Sequence, residues 1–192
     1  MIEYVKGKLD QLTPATAVIE TAGGVAYMLS ISLPTYAALE GKSEAKLLVH
    51  ESIREDAWVL FGFATERERE LFRALVSVSG VGSGTARVIL SSMQPEELAA
   101  AIASGDEKRL KAVKGIGAKT AQRIIVDLRG KIAEAEPLES SDSMGMAYDD
   151  ALAALMALGY QRAACNKVLK ALFEKNPTMK ADEAIRKSFA ML

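Results

Sequence analysis

The chain has one cysteine, one histidine and no apolar run long enough to cross a bilayer, for which about 20 residues are needed. Cys165 on its own forms no internal disulfide and has no partner for a thiolate metal cluster, and its apolar neighbours mark it as a small core residue. His50 lies inside an expected strand without Cys, Asp or Ser at catalytic spacing, which leaves it a structural role. The N-terminus, MIEYVKGKLD, alternates charged and apolar residues and lacks the apolar centre of a signal peptide. These absences point to a cytoplasmic protein with no membrane partner, metal or cofactor. A charge excess is lacking too: the net charge of −1 by itself argues against a nucleic-acid binder. Its distribution argues otherwise. Residues 1–63 hold five Lys/Arg against eight Asp/Glu, residues 64–135 hold twelve against nine, and residues 136–192 hold seven against eight.

The basic middle third contains a phrase that occurs twice. Ser79–Leu90 reads SGVGSGTARVIL and Lys114–Ile125 reads KGIGAKTAQRII. Gly80, Gly82, Thr85, Ala86 and Ile89 recur as Gly115, Gly117, Thr120, Ala121 and Ile124, while Val81 and Leu90 recur as Ile116 and Ile125. Each copy sets a Gly-apolar-Gly turn before an amphipathic helical start. Glycine permits positive φ and close approach of a ligand to bare backbone, so successive N–H groups can face one concavity. The helix that follows adds free N–H groups and a partial positive charge. Two such anion sites suit a ligand with repeated phosphates.

At 192 residues, 49% of them apolar, the chain can build one to three small domains. The first third reads as β. Strands are expected at Met1–Leu9, Ala17–Thr21, Val25–Ser32, Lys46–Ile53 and Trp58–Phe63, with a Gly23-Gly24 turn and a short helix at Pro34–Leu39. Five short strands with one helix before the fourth suggest a small closed barrel of the OB type over residues 1–63. From Thr65 the period becomes helical. Thr65 to Glu68 fits a capping box, Leu71, Phe72, Leu75 and Val76 share a face, and Pro95 opens a further helix. Residues 64–133 therefore read as helix–hairpin–helix twice. Glu134–Ala147, acidic and rich in serine, reads as a flexible tether. Residues 148–192 read as a three-helix (UBA-like) module marked by Leu152, Leu155, Met156, Val168, Leu169, Leu172, Phe173, Ile185 and Phe189. The fold class is α+β and multidomain.

Other nucleotide motifs are excluded by position. A P-loop would need glycines where Val113 and Ala118 stand before Lys119-Thr120, and a dinucleotide fingerprint needs a preceding strand and a third glycine where Ser83 or Lys119 stands. Trp58 and Phe61 read as barrel core or subunit contact in preference to an OB-type base-stacking surface. Glu55 and Asp56 are by default two solvated acids in a hairpin turn. Leu155, Leu158 and Tyr160 are by default core, and Lys119 and Arg123 an ordinary solvated helix face.

The double phrase resembles the tandem helix–hairpin–helix motifs that grip DNA phosphates without reading bases. With the three-part layout, the REDA turn at Arg54–Ala57 and the LGY at Leu158–Tyr160, essentially the whole chain resembles the RuvA family of Holliday-junction-binding proteins. The resemblance implies a non-catalytic subunit whose four copies form a square plate on a four-way junction, as a homotetramer or as an octamer of two tetramers. Implied partners are the hexameric ATPase RuvB and the resolvase RuvC. Gly80, Gly82, Gly115 and Gly117 would hold phosphates, with Lys119 and Arg123 adding charge on the helix after the second phrase. Glu55 and Asp56 would be an acidic pin at the crossover, with Arg54 moderating the repulsion or touching a phosphate. Leu155, Leu158 and Tyr160, with Phe189, would dock RuvB. One departure stands out: the family commonly has a proline and a basic residue after the first glycine pair, where this chain has Ser83-Gly84. The alternative is a helix–hairpin–helix repair enzyme, a glycosylase or nuclease-like protein, whose catalytic Asp would fall in the tether at Asp142. A third reading is a protein–protein adaptor with no DNA role.

Overall fold

The computed structural model describes residues 1–133 and 143–192, with side chains described for 1–130 and 147–192. They fall into two compact units, Met1–Ala135 and Glu136–Leu192.

The first unit opens with β1 (Tyr4–Leu12), β2 (Thr16–Glu20), β3 (Ala26–Ile31), α1 (Leu33–Leu39), β4 (Glu44–Ile53) and β5 (Trp58–Phe63). The strands close into a barrel in the order β1-β2-β3-β5-β4, with β3 and β5 as the parallel pair. Period-two patterning places Ala17 and Ile19 of β2, and Ala45, Leu47 and Val49 of β4, in the barrel core. Strand β1 pairs with both β2 and β4, and its register with β2 shifts between Leu9 and Gln11. Such a bulge bends a strand so that it can serve both sides of a small barrel. Pairing of Leu12 with Ala17 carries β1 three residues past the end expected from sequence.

Helix α2 (Glu66–Val76) starts at Thr65, whose hydroxyl accepts from the Glu68 N–H. Here the capping box is only half formed. The Glu68 carboxylate does not turn back to the helix end; it is buried and accepts from Ser32 Oγ and, at 2.6 Å, from Thr35 Oγ1. Thr35 Oγ1 in turn accepts from the Ala64 N–H. Glu68 thus ties α2 to the start of α1, a role no local pattern could reveal. On the same helix Phe72 is fully buried, and the rings of His50, Phe61 and Phe63 lie 5.1, 5.0 and 4.9 Å from its own. One aromatic cluster therefore joins barrel wall to helices. Burial, with Arg73 adding its positive charge and Glu51 opposing, pushes the His50 imidazole below its ordinary pKa.

The chain continues through α3 (Ser83–Ser92), α4 (Pro95–Ser104), α5 (Glu107–Lys111) and α6 (Ala118–Ala133). Pro95 is the first residue of α4, directly after the N-cap Gln94, whose N–H donates to the carboxylate of Glu97 in the first turn at 3.1 Å. The second unit holds α7 (Ser143–Ala157), α8 (Arg162–Lys175) and α9 (Ala181–Ser188) around Leu155, Cys165, Leu169 and Ala184, all fully buried. Of the stretch expected to be a tether, residues 134–142, Asp142 among them, lie outside the described residues, whereas Ser143–Ala147 forms the start of α7. Gly159, at φ +93, ends that helix, with Gly159 N–H donating to Met156 O and Tyr160 N–H to Leu155 O. Among the described residues no helix is long and apolar enough to cross a membrane.

Candidate nucleic-acid interface

The two glycine phrases form the same turn. In the first, Val78 N–H donates to Leu75 O at 3.0 Å, Val81 N–H to Val78 O at 3.0 Å and Ala86 N–H to Gly82 O at 2.9 Å. In the second, the corresponding bonds are Val113 to Leu110 at 3.1 Å, Ile116 to Val113 at 3.1 Å and Ala121 to Gly117 at 2.9 Å. The apolar residue inside each turn, Val81 or Ile116, is buried and anchors it. The flanking glycines are exposed. Gly80 and Gly115 take φ of +91 and +89, a region that other residues enter only with strain. Gly82 is extended instead, at φ −86 and ψ 168, and caps α3 without a side-chain hydrogen bond. A Cβ on Gly82, Gly84, Gly115 or Gly117 would meet nothing within 4 Å. Among the described residues, none of Gly80, Gly82, Gly115 and Gly117 donates its N–H to a protein acceptor. Each turn therefore presents bare, unspent amides at a helix start, as an oxyanion requires.

The cations are shared unequally. Lys119 is exposed beside the second turn and forms no ion pair among the described residues. Lys114, inside that turn, is likewise exposed and unpaired; its place next to Gly115 was the signal for it, and sequence reasoning passed over it. Arg123, although it belongs to α6, reaches the first turn. Its Nη1 donates to Ser79 O at 3.5 Å and lies 4.0 Å from where a Gly80 Cβ would stand. The first turn, which has Ser83-Gly84 where the second has Ala118-Lys119, thus takes its guanidinium from the second motif. Ser83 itself is buried and shares a 3.2 Å hydrogen bond with Ser52 of β4.

Between β4 and β5 the chain turns through Arg54–Ala57, with Arg54 N–H donating to Ala57 O at 2.8 Å. Glu55 and Asp56 are exposed at its tip and make no hydrogen bond or ion pair among the described residues. At the turn's base Ile53 and Trp58 face each other across the strands, 70% and 64% exposed. Of the two aromatic residues expected as barrel core or subunit contact, Phe61 is buried in the cluster around Phe72 that joins the barrel wall to the helices, and Trp58 is exposed, because it stands where β5 has run past the barrel's packed interior.

In the second unit the structure separates three residues that sequence grouped. Leu155 is fully buried among the three helices and offers no docking surface, whereas Leu158 is 61% exposed and Tyr160 38%. Leu158 and Tyr160 escape the core because α7 has ended at the Gly159 turn. The Tyr160 ring lies 6.2 Å from that of Phe189, itself exposed. Among the described residues no cluster of His, Cys, Asp or Glu could hold a metal ion.

A closed five-stranded barrel joined to paired glycine hairpins with outward-facing amides, followed by a three-helix unit, defines a tandem helix–hairpin–helix protein of the DNA-handling type. The comparisons name the family. Residues 1–62 match the RuvA N terminal domain, residues 72–131 the SAM-like helix-hairpin-helix tandem and residues 147–192 the RuvA C-terminal domain. The chain belongs to the RuvA family. It is 49% identical to the Holliday junction branch migration complex subunit RuvA of Parabacteroides distasonis over 100% of both chains. It is 47% identical to the protein of that name from Bacteroides thetaiotaomicron over 97% of each, and 46% identical to that of Porphyromonas gingivalis over 100% of both.

Proposed function

We propose that this protein is a non-catalytic, structure-specific DNA-binding subunit of a cytoplasmic branch-migration machine. It binds Holliday junctions as a homotetramer, holds the arms open and flat, and recruits the RuvB ATPase, with the RuvC resolvase as a further partner. The observation that carries this reading is the pair of matching turns, each with unspent glycine amides, with open space above Gly82, Gly115 and Gly117 and the Arg123 guanidinium beside Gly80. Gly80, Gly82, Gly115 and Gly117 take phosphates, aided by Lys114, Lys119 and Arg123. Such contacts fix a duplex arm without reading its bases, which suits DNA that must slide. Glu55 and Asp56 face the crossover, where their charge, screened only beyond a Debye length of about 8–10 Å, pushes strands apart. Attraction along the arms with repulsion at the centre favours a four-way junction over a straight duplex. Leu158, Tyr160 and Phe189 are the surface offered to RuvB. Full-length likeness to proteins named as branch-migration subunits supports the same conclusion.

A gel-shift comparison of labelled four-way junction and duplex, with a solution mass measurement, tests it. The junction is retained at salt concentrations that free the duplex, and the mass is that of four subunits. Replacing Glu55 with Gln and Asp56 with Asn narrows the preference for junction over duplex; an unchanged preference refutes the pin. Failure to bind any four-way junction at low salt refutes the whole reading.

A further inference from the structure

Ile53 and Trp58 remain without a role in the fold. They are directly opposed in the β4–β5 register, so both side chains leave the same face of the hairpin. Two residues further into the sheet on that face, Leu60 packs against the barrel core. The Ile53–Trp58 pair therefore continues the inner row of the barrel beyond its last covered residue. Among the described residues the indole makes no ring contact and its N–H no hydrogen bond. Trp58 is also two residues from Asp56 and Ile53 two from Glu55, which puts the apolar pair about 7 Å along the strands from the carboxylates at the tip.

We infer that Trp58, backed by Ile53, is a stacking site for an unpaired nucleobase at the crossover. This rests on the junction reading above and adds to it a contact with bases. The occupant follows from the charge of the neighbouring turn. Glu55 and Asp56 repel phosphates, so the part of a DNA strand that can come close beside them is the neutral face of a base. A large flat indole with a free N–H donor is suited to receive it. Bases inside a duplex arm are stacked on their neighbours and present only their edges, while those at a strand exchange point can be splayed out. The pin and the indole then act together, the carboxylates holding the rails off and Trp58 capturing a base that the separation frees.

The chain's only tryptophan is its own reporter. The full-length protein is titrated with a four-way junction and, separately, with duplex, while binding is followed through the anisotropy of a label on a DNA arm and Trp58 emission is read in parallel. Quenching on saturation with junction but not with duplex is the expected result. Trp58→Ala then weakens junction affinity roughly 5- to 150-fold, the range for loss of one base–aromatic stack, and Trp58→Phe recovers most of it. Because the side chain is largely exposed, both variants fold. Emission that ignores a bound junction overturns the inference and leaves the proposed function standing, as does equal quenching by duplex. A blue shift that follows protein concentration without DNA, with no response to junction, also overturns it and assigns the pair to a contact between copies. No anisotropy change at all with junction sinks the proposed function, and this inference with it.

Discussion

The two glycines of one hairpin should fail differently when replaced, because the structure gives them different tasks. Gly80 has φ +91, and an alanine there costs about 1–2 kcal/mol of folding free energy from the clash of Cβ with its own backbone. For a chain of this length that lowers the melting temperature by roughly 2–8 °C. Gly82 sits at φ −86 with open space over it, so alanine fits without strain. Two smaller effects oppose each other at Gly82. Restricting the unfolded chain stabilises by about 0.4–1 kcal/mol, and alanine is a poorer N-cap by a similar amount. The net change in stability is within about 1 kcal/mol of zero. The added methyl nevertheless occupies the space in which a phosphate would meet the amides. Losing one hydrogen bond to a charged acceptor, worth about 1.5–3 kcal/mol, weakens binding roughly 10- to 150-fold. Thermal unfolding and junction anisotropy on Gly80→Ala and Gly82→Ala measure both quantities. A Gly82→Ala protein that binds junctions like the parent refutes close approach at this turn, and a Gly80→Ala protein of parental stability refutes the backbone argument.

The second unit offers a similar contrast. Leu155→Ala opens a cavity in a small core and costs about 2–5 kcal/mol, enough to unfold the unit by circular dichroism or NMR. Leu158→Ala, at an exposed site, stays within about 0.5 kcal/mol of the parent but reduces stimulation of RuvB-driven branch migration; full stimulation by a Leu158→Ala, Tyr160→Ala double variant removes these residues from the docking surface. His50 gives a pH signature. Its folded pKa lies below the ordinary value of about 6.5, so its contribution to stability is fully present above that value and is lost as pH falls through the folded one. Unfolding by denaturant should therefore show stability falling toward acid pH, less steeply in His50→Gln; identical slopes in the two proteins refute the assignment.

Much of the fold was legible because local rules coincide with the global arrangement. Strand alternation in β2 and β4, the Gly24 turn, Pro95 at the start of α4 and the buried Phe72 face of α2 are each set by neighbours a few residues away. The glycine hairpins were legible for the same reason, since positive φ at Gly80 and Gly115 is a backbone requirement written in the residue itself. Glu68 was misread because its capping-box spacing is local while its real partners, Ser32 and Thr35, are brought to it by packing of the barrel against α2. Leu155 and Leu158 look alike in sequence, and only where α7 ends decides which of them is covered.

By itself the sequence determined the succession of strands and helices, the repeated amide-bearing turns and the acidic hairpin, since each follows from backbone preference and hydrophobic period over short spans. Only the tertiary structure decided that Arg123 of the second motif serves the first, that Ser83 is spent on Ser52, and that Trp58 is left outside the core while Phe61 is packed against Phe72. Those outcomes depend on side chains meeting across tens of residues of chain, and such meetings are fixed by how the elements pack.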